Sequence, residues 1–325
     1  MKRVAVYGAG AVGGFLAWHL ARAGHAVSVI ARGPHLQAIR ANGLVLEPHG
    51  GKAQSLHVAA SDDPASLGVQ DIVLVTLKHP GLAGAVDGLK RIAGPDTVFV
   101  FATNGIPWWA EAGLDFLDPA GRLAAAVAPE RRVGCVVKAS LEVRAPGVVA
   151  MDTDSARFIL GPGHDAAAGA ASAAVAVLGG AGIETAQADD LLPAVWDKLM
   201  LNVGFGLPAA LLDLPVGTVG RQPEMLQLRR GLMAEIRAIA QSRGVATTLP
   251  EEIAADRTIL ASPHLPSLLQ DLRKGRVAEI DALVTAPVRL ARFGGVPAPV
   301  LETLGAMLTA RARALGCYDG GGTDG

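Results

Sequence analysis

Apolar and polar positions along the first part of the chain follow a strand, helix, strand pattern. Residues 4–7 form a short apolar run that ends at a glycine, as expected of a buried parallel strand. Residues 11–23 carry apolar side chains at helical spacing, and Gly24 is placed to end that helix. Residues 26–30 form a second apolar run. Together these elements predict a βαβ unit of about thirty residues.

The alternation of strands and helices continues to residue 189. Further strands are predicted at 44–58 (a pair around Gly50-Gly51), 72–77, 97–101 and 184–188, and helices at 82–92 and 166–178. Between residues 133 and 160, strand-like runs are separated by Pro146-Gly147 and by the polar stretch 152–155. This change of pattern predicts antiparallel strands added to a parallel sheet.

Strand signals fade after Asp189-Asp190. Helices are predicted at 191–212, 224–243, 266–273, 277–293 and 298–315. We therefore predict an α/β domain over residues 1–189 and an all-helical domain over residues 190–325. The Gly-rich end, residues 316–325, is expected to be frayed.

Composition restricts the class of protein. Half of the 325 residues are hydrophobic and 18% are charged, which excludes a disordered chain and fits two packed domains. A formal net charge of -1 gives no reason to expect a nucleic-acid partner. The many Ala and Leu residues are compatible with a homodimer, which composition alone does not establish.

Targeting and redox signals point to a reducing cytoplasm. Cys135 and Cys317 lie far apart and show no spacing typical of a disulfide or a metal site. The N-terminus has no secretory signal pattern. Residues 166–183 are long enough to consider as a membrane span, but their alanines and glycines favour an Ala-rich helix of a soluble protein. We therefore expect no membrane partner.

A glycine-rich turn joins the first strand to the first helix. It matches G-x-G-x-x-G with the residues Gly8-Ala9-Gly10-Ala11-Val12-Gly13. Gly8 permits the tight turn, Gly10 allows backbone to approach a pyrophosphate, and Gly13 lets helix pack on strand. The helix N-terminus presents N–H groups to the anion. This context predicts a dinucleotide-binding site.

The residues after the second strand indicate which dinucleotide is bound. NAD enzymes usually place Asp or Glu there, whereas this chain has Ala31 and then Arg32. A guanidinium can pair with a 2′-phosphate, so we predict NADPH as the cofactor. The alternative is that Arg32 is simply solvated.

Three polar residues, Asp197, Lys198 and Asn202, interrupt the apolar stretch 191–212. Lys198 and Asn202 are four positions apart and so share one helix face. A lysine and an amide in such surroundings suggest a site, because burying an unpaired ammonium is costly. The alternative is that the flexible stem of Lys198 reaches water.

The chain resembles the ketopantoate reductase (2-dehydropantoate 2-reductase) family over nearly its whole length. The resemblance depends on separated motifs in the family's order, which are Gly8 to Gly14, Val75-Thr76-Leu77-Lys78, Asn104-Gly105, Trp196 to Asn202, Ser267 to Asp271, Glu279-Ile280-Asp281 and Gly295 to Pro299. It implies a Rossmann NADP-binding domain and a helical domain, with the active site between them. It also implies NADPH-dependent reduction of a small 2-oxo acid, namely ketopantoate, in pantothenate and coenzyme A biosynthesis.

The resemblance also implies residue roles on the reaction side. Lys198 matches the family's catalytic lysine, a proton donor, and Glu279 matches the glutamate near that lysine and the nicotinamide ribose. Asn104 matches an asparagine at the junction of cofactor and substrate. An ammonium at the keto oxygen would stabilise and protonate the alkoxide that hydride transfer produces.

Other matches imply binding roles. Asn202 and Ser267 match residues that contact substrate, and Lys78 and Arg32 match positions that contact the NADPH phosphate and adenosine end. Trp108 and Trp109 follow the Asn104 motif, and they either shape an apolar pocket or pack within the protein.

Two positions depart from the family pattern. Gly206 and Val216 stand where the family often has asparagines. Missing hydrogen-bond partners change substrate discrimination, so another small branched 2-oxo acid is an alternative substrate. A non-catalytic NADPH-binding regulator is a further alternative, although Lys198, Asn202 and Glu279 would then serve no purpose. A dehydrogenase of 3-hydroxy acids or sugar acids fits the 267–281 stretch poorly.

Overall fold

The computed structural model describes residues 1–320 and separates the chain into two compact units. The first unit comprises Met1–Thr103 and Ala120–Leu191, and the second comprises Asn104–Pro119 and the residues from Leu192 onwards. The division at Leu191 lies two residues beyond the predicted end of the first domain at 189.

Residues 104–119 correct the predicted domain bounds, because they belong to the second unit although the sequence pattern assigned them to the first. One contact that holds them there is the close packing of Gly105 against the backbone of Ala282, where a Cβ on Gly105 would collide with the Ala282 carbonyl. The Ile106 N–H also donates to the Ala282 carbonyl at 3.2 Å. Gly105 has φ +80°, a conformation that glycine adopts without strain.

One sheet forms the centre of the first unit. Its strands within residues 1–320 are β1 Arg3–Tyr7, β2 Ala26–Ile30, β3 Leu44–Glu47, β4 Gln54–Leu56, β5 Ala59–Ser61, β6 Ile72–Val75, β7 Val98–Phe101, β8 Arg132–Ala145, β9 Val148–Pro162 and β10 Glu184–Gln187. Their order is β4-β3-β9-β8-β7-β6-β1-β2-β5, and β10 pairs with β9. The strands from β8 to β5 in this order are parallel, whereas β8–β9 and β3–β4 are antiparallel. The predicted parallel sheet with added antiparallel strands is confirmed.

Apolar residues explain the central strands. β6 is buried along its whole length, and β1 is buried from Val4 to Tyr7. Helices of this unit are α1 Ala11–Arg22, α2 Gly33–Asn42, α3 Val86–Ile92, α4 Arg122–Ala126 and α5 Ala168–Gly180. Of these, α1, α2 and α5 pack on the sheet. The prediction of a strand break at 152–155 is wrong, since these residues continue β9 as the exposed part of a long hairpin.

Helices form the second unit. They are α6 Leu192–Leu201, α7 Leu207–Leu212, α8 Val216–Gly220, α9 Pro223–Ser242, α10 Arg257–Ala261, α11 Ser267–Arg273, α12 Ala286–Phe293 and α13 Pro299–Ala314. The predicted all-helical C-terminal region is confirmed. No helix among residues 1–320 combines the length and the apolar character that crossing a membrane requires.

Two π-helical turns distinguish the second unit from a plain helical bundle. The first, Asn202–Gly206, continues α6, and the second, Asp281–Thr285, precedes α12. The two turns contact each other. The helix predicted from residue 277 begins only at Ile280, because residues 276–279 are not helical. Such turns occur often at functional sites.

The first residues of the predicted frayed end are packed in the structure. Cys317 and Tyr318 are both buried, and Gly316 ends α13 with φ +65°. The prediction of fraying from residue 316 is therefore wrong for these positions. Residues 321–325 lie outside the described residues.

Candidate functional site

The glycine-rich turn of the first unit presents backbone N–H groups at the start of α1. Gly8 has φ +107°, which redirects the chain after β1, and Gly10 is the N-cap of α1. No side chain caps this end, and the first intrahelical bond here runs from the Gly14 N–H to the Gly10 carbonyl at 2.7 Å. The N–H groups of Ala11, Val12 and Gly13 lie before that bond, where a helix offers them no acceptor of its own. They can therefore donate hydrogen bonds to an anion.

The space around Gly13 and Gly10 shows that the two glycines have different roles. A Cβ on Gly13 would collide with the Gly8 carbonyl and with Thr76 Oγ1, and would lie 2.9 Å from Val6 Cγ1. A Cβ on Gly10 would meet no protein atom within 4 Å. Gly13 is thus required by the fold, whereas the space beside Gly10 is open to a ligand. These residues fit a dinucleotide.

His35, which the sequence analysis did not identify, fixes the glycine-rich turn. Its Nδ1 accepts a hydrogen bond from the Gly147 N–H at 2.9 Å, and its Nε2 contacts the Ala9 carbonyl. Because Nδ1 accepts, the proton must lie on Nε2, which then donates to Ala9. The side chain therefore links the turn to the β8–β9 hairpin. No sequence pattern indicated this role, because helix α2 itself was not predicted.

The predicted cofactor residues lie around one edge of the sheet. The turn follows β1, Arg32 follows β2 as the N-cap of α2, and Lys78 lies just beyond β6. β1 pairs in parallel with both β2 and β6, so all three segments meet at the carboxyl edge, where α/β sheets bind ligands. Arg32 and Lys78 are both exposed. Burial raises the pKa of Tyr7, and the positive charge of Arg32 partly offsets this rise.

Lys198 projects from α6 in an apolar setting. Its neighbours Trp196, Leu199 and Met200 are buried, while Lys198 itself is half-buried, like Asn202 one turn later.

Asp197, beside Lys198, is only 4% exposed and holds the chain that follows α9. Its Oδ1 accepts hydrogen bonds from the backbone N–H groups of Thr248 at 2.9 Å and Leu249 at 3.3 Å. Its Oδ2 accepts from the Thr248 hydroxyl. These bonds fix α6 and therefore the backbone that carries Lys198. The carboxylate in an apolar helix was a sequence signal for such a role, although none was assigned to it.

Asn104 and Glu279 form a pair in the second unit. Asn104 Nδ2 donates to Glu279 Oε2 at 3.1 Å, and Glu279 is 3% exposed. A buried carboxylate needs such donors, because leaving it unsatisfied would be costly. Two candidates far apart in sequence are thereby brought together.

A pocket brings together two of the substrate candidates, Asn202 and Ser267, whereas Asn104 and Lys198 are not among its lining residues. It is lined by Asn202, Val203, Gly206, Leu207, Pro266, Ser267, Leu268, Leu283 and Val284, and its empty space, open mouth included, is about 320 Å³. Asn202 and Ser267 are the polar side chains of this lining, and the other walls are apolar. Gly206 lies in the wall itself. The arrangement fits a small molecule with one polar end and one apolar end.

The remaining sequence candidates lie elsewhere in the second unit. Val216 is buried in α8, where its N–H donates to the His264 carbonyl at 3.0 Å, and it does not line this pocket. Trp108 is buried, and its ring meets that of Trp109 edge-on at 5.0 Å between centroids. This contact favours the packing role for the two tryptophans.

Family models match both parts of the chain. Residues 4–164 match the model described as "Ketopantoate reductase PanE/ApbA", and residues 190–312 match "Ketopantoate reductase PanE/ApbA C terminal". The 2-dehydropantoate 2-reductase of Mesorhizobium japonicum is 34% identical over 97% of this chain and 99% of its own length.

Solved structures share the fold. The 2-dehydropantoate 2-reductase of Geobacter metallireducens has a TM-score of 0.85 at 28% identity, covering 94% of this chain and 98% of that one. D-mandelate dehydrogenase, solved with NADH and anilino(oxo)acetate, has a TM-score of 0.84 over 96% of this chain and 98% of that one, but is only 20% identical and shows the fold alone. The chain belongs to the ketopantoate reductase family of dinucleotide-binding oxidoreductases.

Proposed function

We propose that this protein is an NADPH-dependent reductase that converts 2-dehydropantoate to pantoate, the step that supplies pantothenate and coenzyme A synthesis. The observation that carries the proposal is the pocket in which Asn202 and Ser267 meet, one helical turn beyond Lys198. The 34% identical relative named for this reaction, which matches nearly end to end, supports it.

In the proposed reaction, proton donation, orientation of the proton donor and substrate binding are assigned to different side chains. Bound NADPH would supply the hydride that reduces the keto carbon. Lys198 Nζ donates a hydrogen bond to the keto oxygen, stabilises the charge that develops there, and transfers a proton to it. Glu279, held by Asn104, orients that ammonium. Asn202 and Ser267 donate hydrogen bonds to the polar end of the substrate.

Arg32 supports the choice of NADPH over NADH. It caps α2 at the carboxyl edge of the sheet, is exposed to an incoming ligand, and lies close enough to Tyr7 to affect its pKa. A guanidinium binds a 2′-phosphate through charge-assisted hydrogen bonds, which NADH cannot form.

We expect Arg32→Ala to lower the NADPH-to-NADH ratio of kcat/KM by about tenfold or more, the scale of losing a charge-assisted hydrogen bond. Initial rates with each cofactor measure the ratio. Arg40→Ala, at the other end of the same helix, is the matched control and should leave the ratio unchanged. An unchanged ratio in Arg32→Ala would show that another group selects the cofactor.

The apolar pocket walls favour a second candidate, the reduction of another small branched 2-oxo acid. A Cβ on Gly206 would meet Pro266 Cβ at 3.5 Å, an ordinary contact, so the position accepts a Cβ without a clash. The glycine leaves the pocket without an amide there. A substrate hydroxyl therefore has one hydrogen-bond partner fewer than it would have with an asparagine at this position. The preference for a hydroxylated substrate over one without the hydroxyl is weaker as a result.

We expect the wild-type enzyme to reduce both 2-dehydropantoate and its analogue without the terminal hydroxyl. Gly206→Asn should shift the ratio of their kcat/KM values about tenfold towards the hydroxylated substrate. Gly206→Ala, which adds a methyl group but no amide, is the control. The rates follow from the loss of reduced-nicotinamide absorbance, with pantoate identified as product. NADPH binding without reduction of any 2-oxo acid would instead indicate a regulator.

A further inference from the structure

The segment that carries Glu279 is held on one side by residues that follow β7. The Asn104 side chain binds Glu279, and the Ile106 N–H binds the Ala282 carbonyl at 3.2 Å. The backbone of Gly105 packs directly against Ala282. Residues 104–106 thus bond to the Glu279 segment both through a side chain and through the backbone.

The C-terminal residues hold the same segment from another direction. The Ala278 N–H donates to the Cys317 carbonyl at 2.9 Å, and the Tyr318 hydroxyl donates to Asp281 Oδ1 at 2.6 Å. These two bonds bracket Glu279 along the chain. Cys317 is fully buried and Tyr318 is 6% exposed, so the contact is an internal one.

Asp281 connects this contact to an unusual stretch of backbone. It is the first residue of the π-helical turn Asp281–Thr285, and it also accepts a hydrogen bond from Thr285 Oγ1 at 3.2 Å. π-helical turns are rare because they are less stable than α-helix, so they depend on surrounding contacts. Tyr318 supplies such a contact where the turn begins.

Tyr318 keeps its proton across the working range of pH. Burial, followed by the hydrogen bond to Asp281, raises the pKa of Tyr318 to about 12. The hydroxyl is therefore a permanent donor to the Asp281 carboxylate, and a hydrogen bond to a charged acceptor is stronger than one between neutral groups.

We propose that Tyr318 is a positioning residue, which fixes Asp281 and the start of the π-helical turn and thereby the Glu279–Asn104 pair. The proposal rests on the proposed function, in which Glu279 orients Lys198. The C-terminal segment would then be part of the active-site scaffold and would do more than end the last helix.

The test is Tyr318→Phe, which removes one hydroxyl and keeps the ring in its buried site. We expect kcat to fall about tenfold, the scale of one hydrogen bond to a charged group, with KM for NADPH little changed. Hydrogen–deuterium exchange should rise at residues 278–285 and 104–106. Asp319→Asn, on the exposed neighbour of Tyr318, is the control and should change neither quantity.

A double-mutant cycle with Glu279→Gln identifies the path of the effect. If Tyr318 acts through Glu279, adding Tyr318→Phe to Glu279→Gln should change kcat less than about twofold. Equal effects in both backgrounds, or unchanged exchange at 278–285, would overturn the proposal. If Glu279→Gln alone keeps wild-type kcat, the catalytic role proposed for Glu279 fails. Exchange at 104–106 then decides the positioning role by itself, with a rise supporting it and no change refuting it.

Discussion

Lys198→Ala is expected to lower kcat about a hundredfold or more, the scale of losing one oxyanion donor. The ammonium is proposed to act only where charge develops on the keto oxygen, so KM for NADPH should change little. Steady-state kinetics and single-turnover reduction of 2-dehydropantoate measure both quantities.

Lys274→Ala provides the matched control, because Lys274 is an exposed lysine of the same unit. It should retain wild-type kinetics and a wild-type thermal midpoint. If Lys198→Ala also turned over at nearly the wild-type rate, proton donation would belong to another group. The pocket with Asn202 and Ser267 would then remain a binding site without an assigned acid.

Gly13→Ala is expected to abolish measurable NADPH binding and to lower the thermal midpoint by several degrees. The added Cβ would collide with the Gly8 carbonyl and Thr76 Oγ1, which hydrogen-bond to each other, so displacing either atom disturbs the turn. Overpacking of this kind costs about 1–3 kcal/mol or more. Fluorescence titration with NADPH and thermal unfolding measure the two effects.

Gly10→Ala, at the same turn, distinguishes an effect on ligand binding from an effect on stability. Gly10 has φ -67°, which alanine adopts freely, and its Cβ would meet no protein atom. We therefore expect an unchanged thermal midpoint without ligand, together with an increase of about tenfold or more in the Kd for NADPH. The loss reflects the close backbone approach that the pyrophosphate requires. An unchanged Kd would place the pyrophosphate elsewhere.

Local pattern and buried parallel strands made the first unit largely predictable. β1, α1 and β2 follow from apolar runs and glycines alone, because a strand buried on both faces needs a continuous apolar sequence. Helix α2 was missed because it is mostly polar, with only Leu36 and Ile39 buried. Its omission also hid His35, whose role depends on contacts far away in sequence.

The second unit was less predictable because its special features are tertiary. Helical periodicity cannot distinguish the π-helical turns at Asn202 and Asp281 from α-helix, and their existence depends on packing. The membership of residues 104–119 depends on tertiary contacts, such as the fit of Gly105 against Ala282 and the bond between Arg243 and Glu111. Lys198 and Asn202 stood out as polar residues on one face of an apolar helix, and Ser267 and Glu279 were found through motif resemblance. The bond between Asn104 and Glu279 was visible only in the structure.

The buried C-terminal segment has a consequence for thiol chemistry. Cys317 has no exposed surface, and its Sγ lies 3.9 Å from the Leu272 carbonyl, next to the residue that binds Asp281. An alkylating reagent can reach this sulfur only after the tail has detached. The rate at which Cys317 is labelled therefore measures how often the C-terminal segment opens. Cys135, which is buried in β8 of the other unit, measures opening of the sheet in the same experiment.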